Sequence, residues 1–158
     1  MRVGGKAEVP SVVPGTRFAL IAARFNQPLV AQLVAGAQRA LRAAGAADAD
    51  VELHWVPGAW EIPAAALWLA ATERFTAIVA LGCVIRGDTP HFEFVAGECA
   101  RGLMKVQLET GVPIAFGVLT VEDQAQAEQR ADPARMDKGG EAALAALEMA
   151  NLVRSLGD

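Results

Sequence analysis

From Thr16 onward, short apolar runs alternate with longer stretches in which apolar residues recur at helical spacing. Phe18 to Ala23 is unbroken by polar residues and too short for a helix, which predicts a buried strand ending at Arg24-Phe25-Asn26. Leu29, Val30, Leu33, Val34, Ala37 and Leu41 then form a helical stripe that stops near Gly45. The unit recurs with a strand from Val51 to Val56, a turn at Pro57-Gly58 and a helix from Glu61 to Glu73, in which Pro63 is tolerable only in the first turn. A third strand spans Ala77 to Ile85, and after the Gly87 loop a helix runs from about His91 to Leu108. Val112 to Leu119 reads as the fourth strand, with Thr120 as the cap of a helix whose first turn holds Glu122 and Asp123. Residues 130–139 read as a loop carrying several cations. The last helix extends from about Lys138 to Leu156, with Leu144, Met149, Leu152 and Leu156 near one side.

Strands too apolar to alternate, separated by helices, imply an α/β fold with a parallel sheet covered on both faces. Ligands of such sheets collect outside the carboxyl ends of the strands. Here those ends are Arg24-Phe25-Asn26, Val56 through Glu61, Arg86 through His91, and Thr120. Residues 1–15 contain Gly4, Gly5, Pro10, Pro14 and Gly15 and read as an N-terminal arm, leaving residues 16–158 as one domain without internal repeats.

Composition narrows the partners. Alanine fills 33 of 158 positions, so helices can lie close to a sheet or another subunit, and a core of such small side chains gains from oligomerisation. A net charge of -4 and only three lysines, Lys6, Lys105 and Lys138, argue against nucleic-acid or anionic membrane binding. No stretch is apolar enough to span a bilayer and the N-terminus lacks signal-peptide order, so a cytoplasmic protein is expected. Cys83 falls in a strand and Cys99 well inside a helix, which suits two buried thiols in a reducing compartment.

His91, directly after a strand-end loop and Pro90, is the leading acid–base candidate; an exposed histidine at a helix start is the alternative. His54 lies within a strand and reads as structural, and the two histidines lack the cysteine pattern of a metal site. Gly87 and Thr89 suit phosphate, through close backbone approach, a hydroxyl and the free amides of the following helix, with Asp88 turned away or acting through its backbone. Gly-x-Gly-x-x-Gly and a Walker lysine are both missing, which removes the main warrant for dinucleotide or P-loop binding. Arg130 offers a bidentate contact to phosphate and Lys138 a more mobile cation, reaching Gly87 and Thr89 from a distant part of the fold or from a neighbouring subunit. Val56-Pro57-Gly58-Ala59-Trp60-Glu61-Ile62-Pro63 combines a backbone-accessible turn, a ring and an acid fit for a polar heterocycle with a hydroxylated chain, and Phe25 and Phe116 could add walls. Trp60 as a core anchor is the plainer alternative. No nucleophilic triad is evident, which favours a substrate that supplies its own nucleophile.

Taken together, Arg24-Phe25-Asn26, the Val56 to Pro63 segment, Leu81-Gly82-Cys83-Val84-Ile85-Arg86-Gly87-Asp88-Thr89-Pro90-His91-Phe92, Phe116-Gly117-Val118-Leu119-Thr120 and Lys138-Gly139-Gly140-Glu141-Ala142-Ala143 leading to Glu148-Met149-Ala150-Asn151-Leu152 resemble the lumazine synthase family over about residues 16–154. The resemblance implies a three-layer flavodoxin-like domain with a four-stranded parallel sheet of order 2-1-3-4. It also implies condensation of 5-amino-6-(D-ribitylamino)uracil with 3,4-dihydroxy-2-butanone 4-phosphate to 6,7-dimethyl-8-ribityllumazine, phosphate and water, the penultimate step of riboflavin biosynthesis. A noncatalytic flavin- or lumazine-binding module is the alternative.

By the same resemblance, Phe25 stacks on the pyrimidine, with Asn26 beside it. Gly58, Ala59, Trp60 and Glu61 meet the ribityl chain and its surroundings, and Val84 and Ile85 the pyrimidine side. His91 is the acid–base residue, Gly87, Asp88 and Thr89 form the phosphate loop, and Phe116, Arg130 and Lys138 come from the neighbouring subunit. Trp60 stands where the family more usually has phenylalanine, and Asp88 fills a variable loop position. No metal or redox cofactor is implied. The implied assembly is a homopentamer; a 60-subunit shell and association with riboflavin synthase stay open, since the Arg130 to Lys138 spacing shows no insertion of the kind that discourages shell packing.

Overall fold

The computed structural model describes residues 8–157. Of the arm expected over residues 1–15, residues 1–7 therefore lie outside the described residues. Four parallel strands, β1 (Phe18–Ala23), β2 (Val51–Val56), β3 (Ala77–Ile85) and β4 (Ile114–Val121), form a sheet of order β2-β1-β3-β4. Five α-helices cover it: α1 (Gln27–Ala43), α2 (Ile62–Ala71), α3 (His91–Thr110), α4 (Gln124–Ala131) and α5 (Lys138–Gly157). This is the flavodoxin-like α/β arrangement that the resemblance implies. Among the described residues, no helix is long and apolar enough to cross a membrane.

The unbroken apolar strands make sense once both faces are counted. Successive side chains point to opposite faces. In β1, Phe18, Leu20 and Ala22 pack under α1, α4 and α5, while Ala19, Ile21 and Ala23 pack under α2 and α3. All six residues of β1 are buried, whereas β2 at the sheet edge is half-buried along its length.

Several expected boundaries shift, each for a local reason. The fourth strand begins at Ile114 rather than Val112, because Pro113 has no amide proton to give a ladder. It runs on through Thr120 and Val121, which pair with Val84 and Ile85. Thr120 is thus a strand residue and not a cap; Asp123 caps α4, its Oδ1 accepting the Gln126 amide at 2.8 Å. Ala59–Glu61 form a 3-10 turn, so α2 starts at Ile62, and it stops short of Glu73, which sits at φ 58°. Arg130 belongs to α4 and Lys138 opens α5, which narrows the expected 130–139 loop to the residues between them.

The core-facing side of α5 is not the one that gathers Met149, Leu152 and Leu156. Gly139, Gly140, Ala142, Ala143, Ala146, Leu147 and Ala150 are buried, while Met149, Leu152 and Leu156 are exposed. The cause is the close approach of α1: a Cβ at Gly139 would overlap the carbonyl of Leu33. At that crossing only small side chains fit between the helices; farther along α5 Leu147 is buried, while Met149, Leu152 and Leu156 turn outward.

Candidate functional site

The strand ends predicted to carry the site are held together by backbone hydrogen bonds. The Arg24 amide donates to Val56 O at 2.8 Å and the Phe25 amide to Pro57 O at 3.1 Å, fastening the β1–α1 turn to the β2–α2 turn. Asn26 sits in the left-handed region at φ 61° and its Nδ2 donates to Cys83 O at 2.9 Å, which ties the same turn to β3. Asn26 therefore spends its amide group on shaping the site.

Between these turns and the start of α3 lies a cleft of about 330 Å³, lined by Phe25, Pro57, Gly58, Trp60, Glu61, Cys83, Val84, Ile85, His91 and Val95. Phe25 is 72% exposed and Trp60 59%, so neither ring is a core anchor. Their apolar faces stay open to the cleft and to solvent, while Ala59 and Ile62 are buried and fix the turn between β2 and α2. Cys83 is 3% exposed, and burial pushes its thiol up to about 11, which leaves a neutral, weakly nucleophilic group in the cleft floor.

The Gly87-Asp88-Thr89 loop is exposed beside this cleft. Thr89 Oγ1 accepts the His91 amide at 3.4 Å, and Glu93 N donates to Pro90 O at 3.0 Å, closing the first turn of α3. Among the described residues, the amides of Gly87, Asp88 and Thr89 form no hydrogen bond, which leaves a row of donors free for an anion. His54 lies elsewhere, on β2, with Nε2 2.9 Å from Glu52 Oε1; Arg74, hydrogen-bonded to that carboxylate, holds it below its ordinary range.

A second cleft, of about 400 Å³, runs along the open edge of β4 and holds the remaining predicted residues. Phe116, Val118 and Thr120 line it from the strand, Arg130 from α4, and Lys138 and Glu141 from α5. Arg130 Nη1 donates to Gln126 O at 3.2 Å and Lys138 Nζ to Glu141 Oε2 at 3.0 Å. Among the described residues the predicted ones thus form two groups, His91 with the exposed aromatics and Arg130 with Lys138 and Phe116, and neither of these two clefts contains both.

Sequence reasoning placed Pro57 and Thr120 at ligand-gathering strand ends but missed Val95 as a lining residue. Val95 had a readable signal, since it stands four residues after His91 on the same helix. Thr120, expected at a strand end, is set opposite Val84 by the β3–β4 register.

The family model for 6,7-dimethyl-8-ribityllumazine synthase matches residues 15–154. The chain belongs to that family. Among its similar relatives are the 6,7-dimethyl-8-ribityllumazine synthase of Stenotrophomonas maltophilia (strain R551-3), 53% identical over 89% of this chain and 90% of the relative, and that of Xanthomonas oryzae pv. oryzae (strain PXO99A), 52% identical over 90% of this chain and 93% of the relative. Both clefts fall within the stretch matched by the lumazine synthase family.

Proposed function

We propose that the two clefts are complementary halves of one active site, joined where protomers meet, in which 5-amino-6-(D-ribitylamino)uracil condenses with 3,4-dihydroxy-2-butanone 4-phosphate to 6,7-dimethyl-8-ribityllumazine. The observation that carries this reading is the separation of His91 from Arg130 and Lys138 into two open clefts, each lacking what the other holds.

The chemistry follows from the residues. The exposed rings of Phe25 and Trp60 offer stacking surface for a pyrimidine, Val84 and Ile85 an apolar floor, and Glu61 a carboxylate for ribityl hydroxyls. The uracil amine attacks the ketone, and loss of water gives an imine. Proton removal next to the imine lets the C–O bond to phosphate break, the electron pair leaving with the phosphate. The second amine then closes the ring and water departs. His91 carries protons in these steps. The free amides of Gly87, Asp88 and Thr89, with Arg130 and Lys138 of the neighbouring protomer, hold the phosphate as its charge grows, and Phe116 closes the cleft from the same neighbour. No step calls for a nucleophilic side chain, in keeping with the protonated state of Cys83.

The assembly in this reading is a homopentamer. A 60-subunit shell and a riboflavin synthase partner remain alternatives of assembly for native mass measurement to separate. The described part of the stretch read as an arm is tied to the catalytic domain: Val12 N donates to Ala44 O at 2.9 Å, Asn151 Nδ2 donates to Ser11 O at 3.1 Å, and Val12 packs against the core. Two buried free thiols, Cys83 and Cys99, suit a cytoplasmic setting.

Mixing the purified protein with both substrates and following lumazine and phosphate together tests the function. Coupled formation well above the spontaneous rate is the expected result. Tight product binding without rate enhancement would identify a noncatalytic binding module.

A further inference from the structure

Arg86 stands at the end of β3, one residue before the Gly87 loop, and its side chain is gripped from two sides. Nε donates to Glu122 Oε2 at 2.8 Å, just past β4, and Nη1 reaches Glu93 Oε1 at 3.4 Å in the first turn of α3. The guanidinium also lies 4.5 Å from the centroid of the Phe92 ring, and the Arg86 amide donates to Val121 O at 2.9 Å. Two carboxylates already meet this charge, so an arriving phosphate would have to displace one of them. Arg86 is poorly placed as a ligand and well placed as a tie.

The tie continues beyond Glu122. The Glu122 amide donates to Gln126 Oε1 at 2.9 Å, and the Gln126 carbonyl accepts Arg130 Nη1 at 3.2 Å. One guanidinium thus links the start of α3, which bears His91, to the turn entering α4, which bears Arg130. Between these anchors the Gly87–Thr89 loop makes no backbone hydrogen bond of its own among the described residues.

We propose that Arg86 is a positioning residue for phosphate release: by clamping the first turn of α3 to the β4–α4 turn, it holds the loop amides and His91 in reacting geometry. The inference rests on the site reading given above and names a group that reading does not use. Exposed ion pairs of this kind contribute little to global stability, so loss of the clamp should register in kinetics rather than in unfolding.

Steady-state kinetics of Arg86→Gln, Arg86→Lys and Glu122→Gln, with each substrate varied in turn and His91→Ala as the reference, test this. Since misplacement by ~1 Å can lower a rate by up to ~10²-fold, Arg86→Gln should lower kcat by roughly 10-fold and raise KM for the phosphate-bearing substrate. KM for the ribitylaminouracil and the native mass should not change. Arg86→Lys keeps the charge without the two-pronged contact and should recover only part of the loss. Glu122→Gln should give a smaller loss of the same kind, and adding it to Arg86→Gln should cost little more, as expected of coupled partners. Unchanged kinetics in Arg86→Gln, equal weakening of both substrates, or full recovery with lysine would overturn the proposal. Should Arg86→Gln fail to assemble, Glu122→Gln, altered at a side chain 61% exposed, carries the same test. Full turnover by His91→Ala would instead overturn the site reading and the clamp with it.

Discussion

Mixing two crippled protomers probes the proposed shared site directly. His91→Ala removes the imidazole, the proposed proton carrier, from one cleft and Arg130→Ala the guanidinium from the other, so each variant chain keeps the half that its companion lacks. In a ring where each site takes one cleft from each of two neighbours, random assembly of equal amounts gives four equally frequent pairings at every boundary. One of them joins the intact His91 cleft of an Arg130→Ala chain to the intact Arg130 cleft of a His91→Ala chain, so about a quarter of the sites in such a heterologous ring are complete. Loss of general acid–base catalysis lowers rates by ~10²–10⁴-fold. Loss of a hydrogen bond to a charged group removes about 1.5–3 kcal/mol, on the order of 10–10²-fold in affinity. With the phosphate-bearing substrate well below its KM, a mixture at roughly a quarter of wild-type activity should stand far above either parent. The assay is the initial rate of lumazine formation by co-expressed, differently tagged chains, purified through both tags, with each parent ring as a control. A mixed ring no more active than the mean of its parents would refute the reasoning, because sites contained within one chain leave every protomer defective.

Two further outcomes concern the scaffold. Gly139→Ala should destabilise the chain by about 1–3 kcal/mol or more in urea unfolding, since the added methyl meets the Leu33 carbonyl where α5 crosses α1; an unchanged midpoint would mean the helices are not so close. Burial raises the Cys83 thiol from an ordinary 9.0 to about 11 and the Cys99 thiol to about 12. Above pH 9.0 unfolded thiols ionise while the folded ones keep their protons, so the cysteines' contribution to stability is complete below that pH and declines as pH rises towards 11 and 12. Unfolding midpoints from pH 8 to 11, compared with a Cys83→Ala/Cys99→Ala chain, should show this extra decline only in the native sequence; parallel curves would contradict it.

The limits of β1, β2 and β3 were legible residue by residue: β1 and β3 are unbroken apolar runs and β2 an alternating one, and Arg17, Arg24, Asp50, Pro57 and Arg86 mark five of their six ends. The end of β4 was not. Thr120 and Asp123 are both capable caps, and the choice fell to Asp123 because pairing with Val84 keeps Thr120 in the sheet. The helical period of α5 was visible as well, but not its buried side: whether alanine or leucine faces inward depends on the distance to α1, which no window of local sequence contains. Arg86 was passed over for the same reason, since Glu122, its nearest partner, is 36 residues away.

Near-neighbour chemistry was therefore enough for the strands, for most of each helix and for the kinds of side chain gathered at the strand ends. Those features depend on backbone sterics and on hydrophobic period over a few residues. The division of the reactive groups between two clefts is of another kind. It arises because β3 lies inside the sheet, with the β1 and β2 turns gathered around its carboxyl end, while β4 leaves an open edge overlooked by α4 and α5. Which side chains come within reach across such a sheet is settled by packing between segments far apart in the chain.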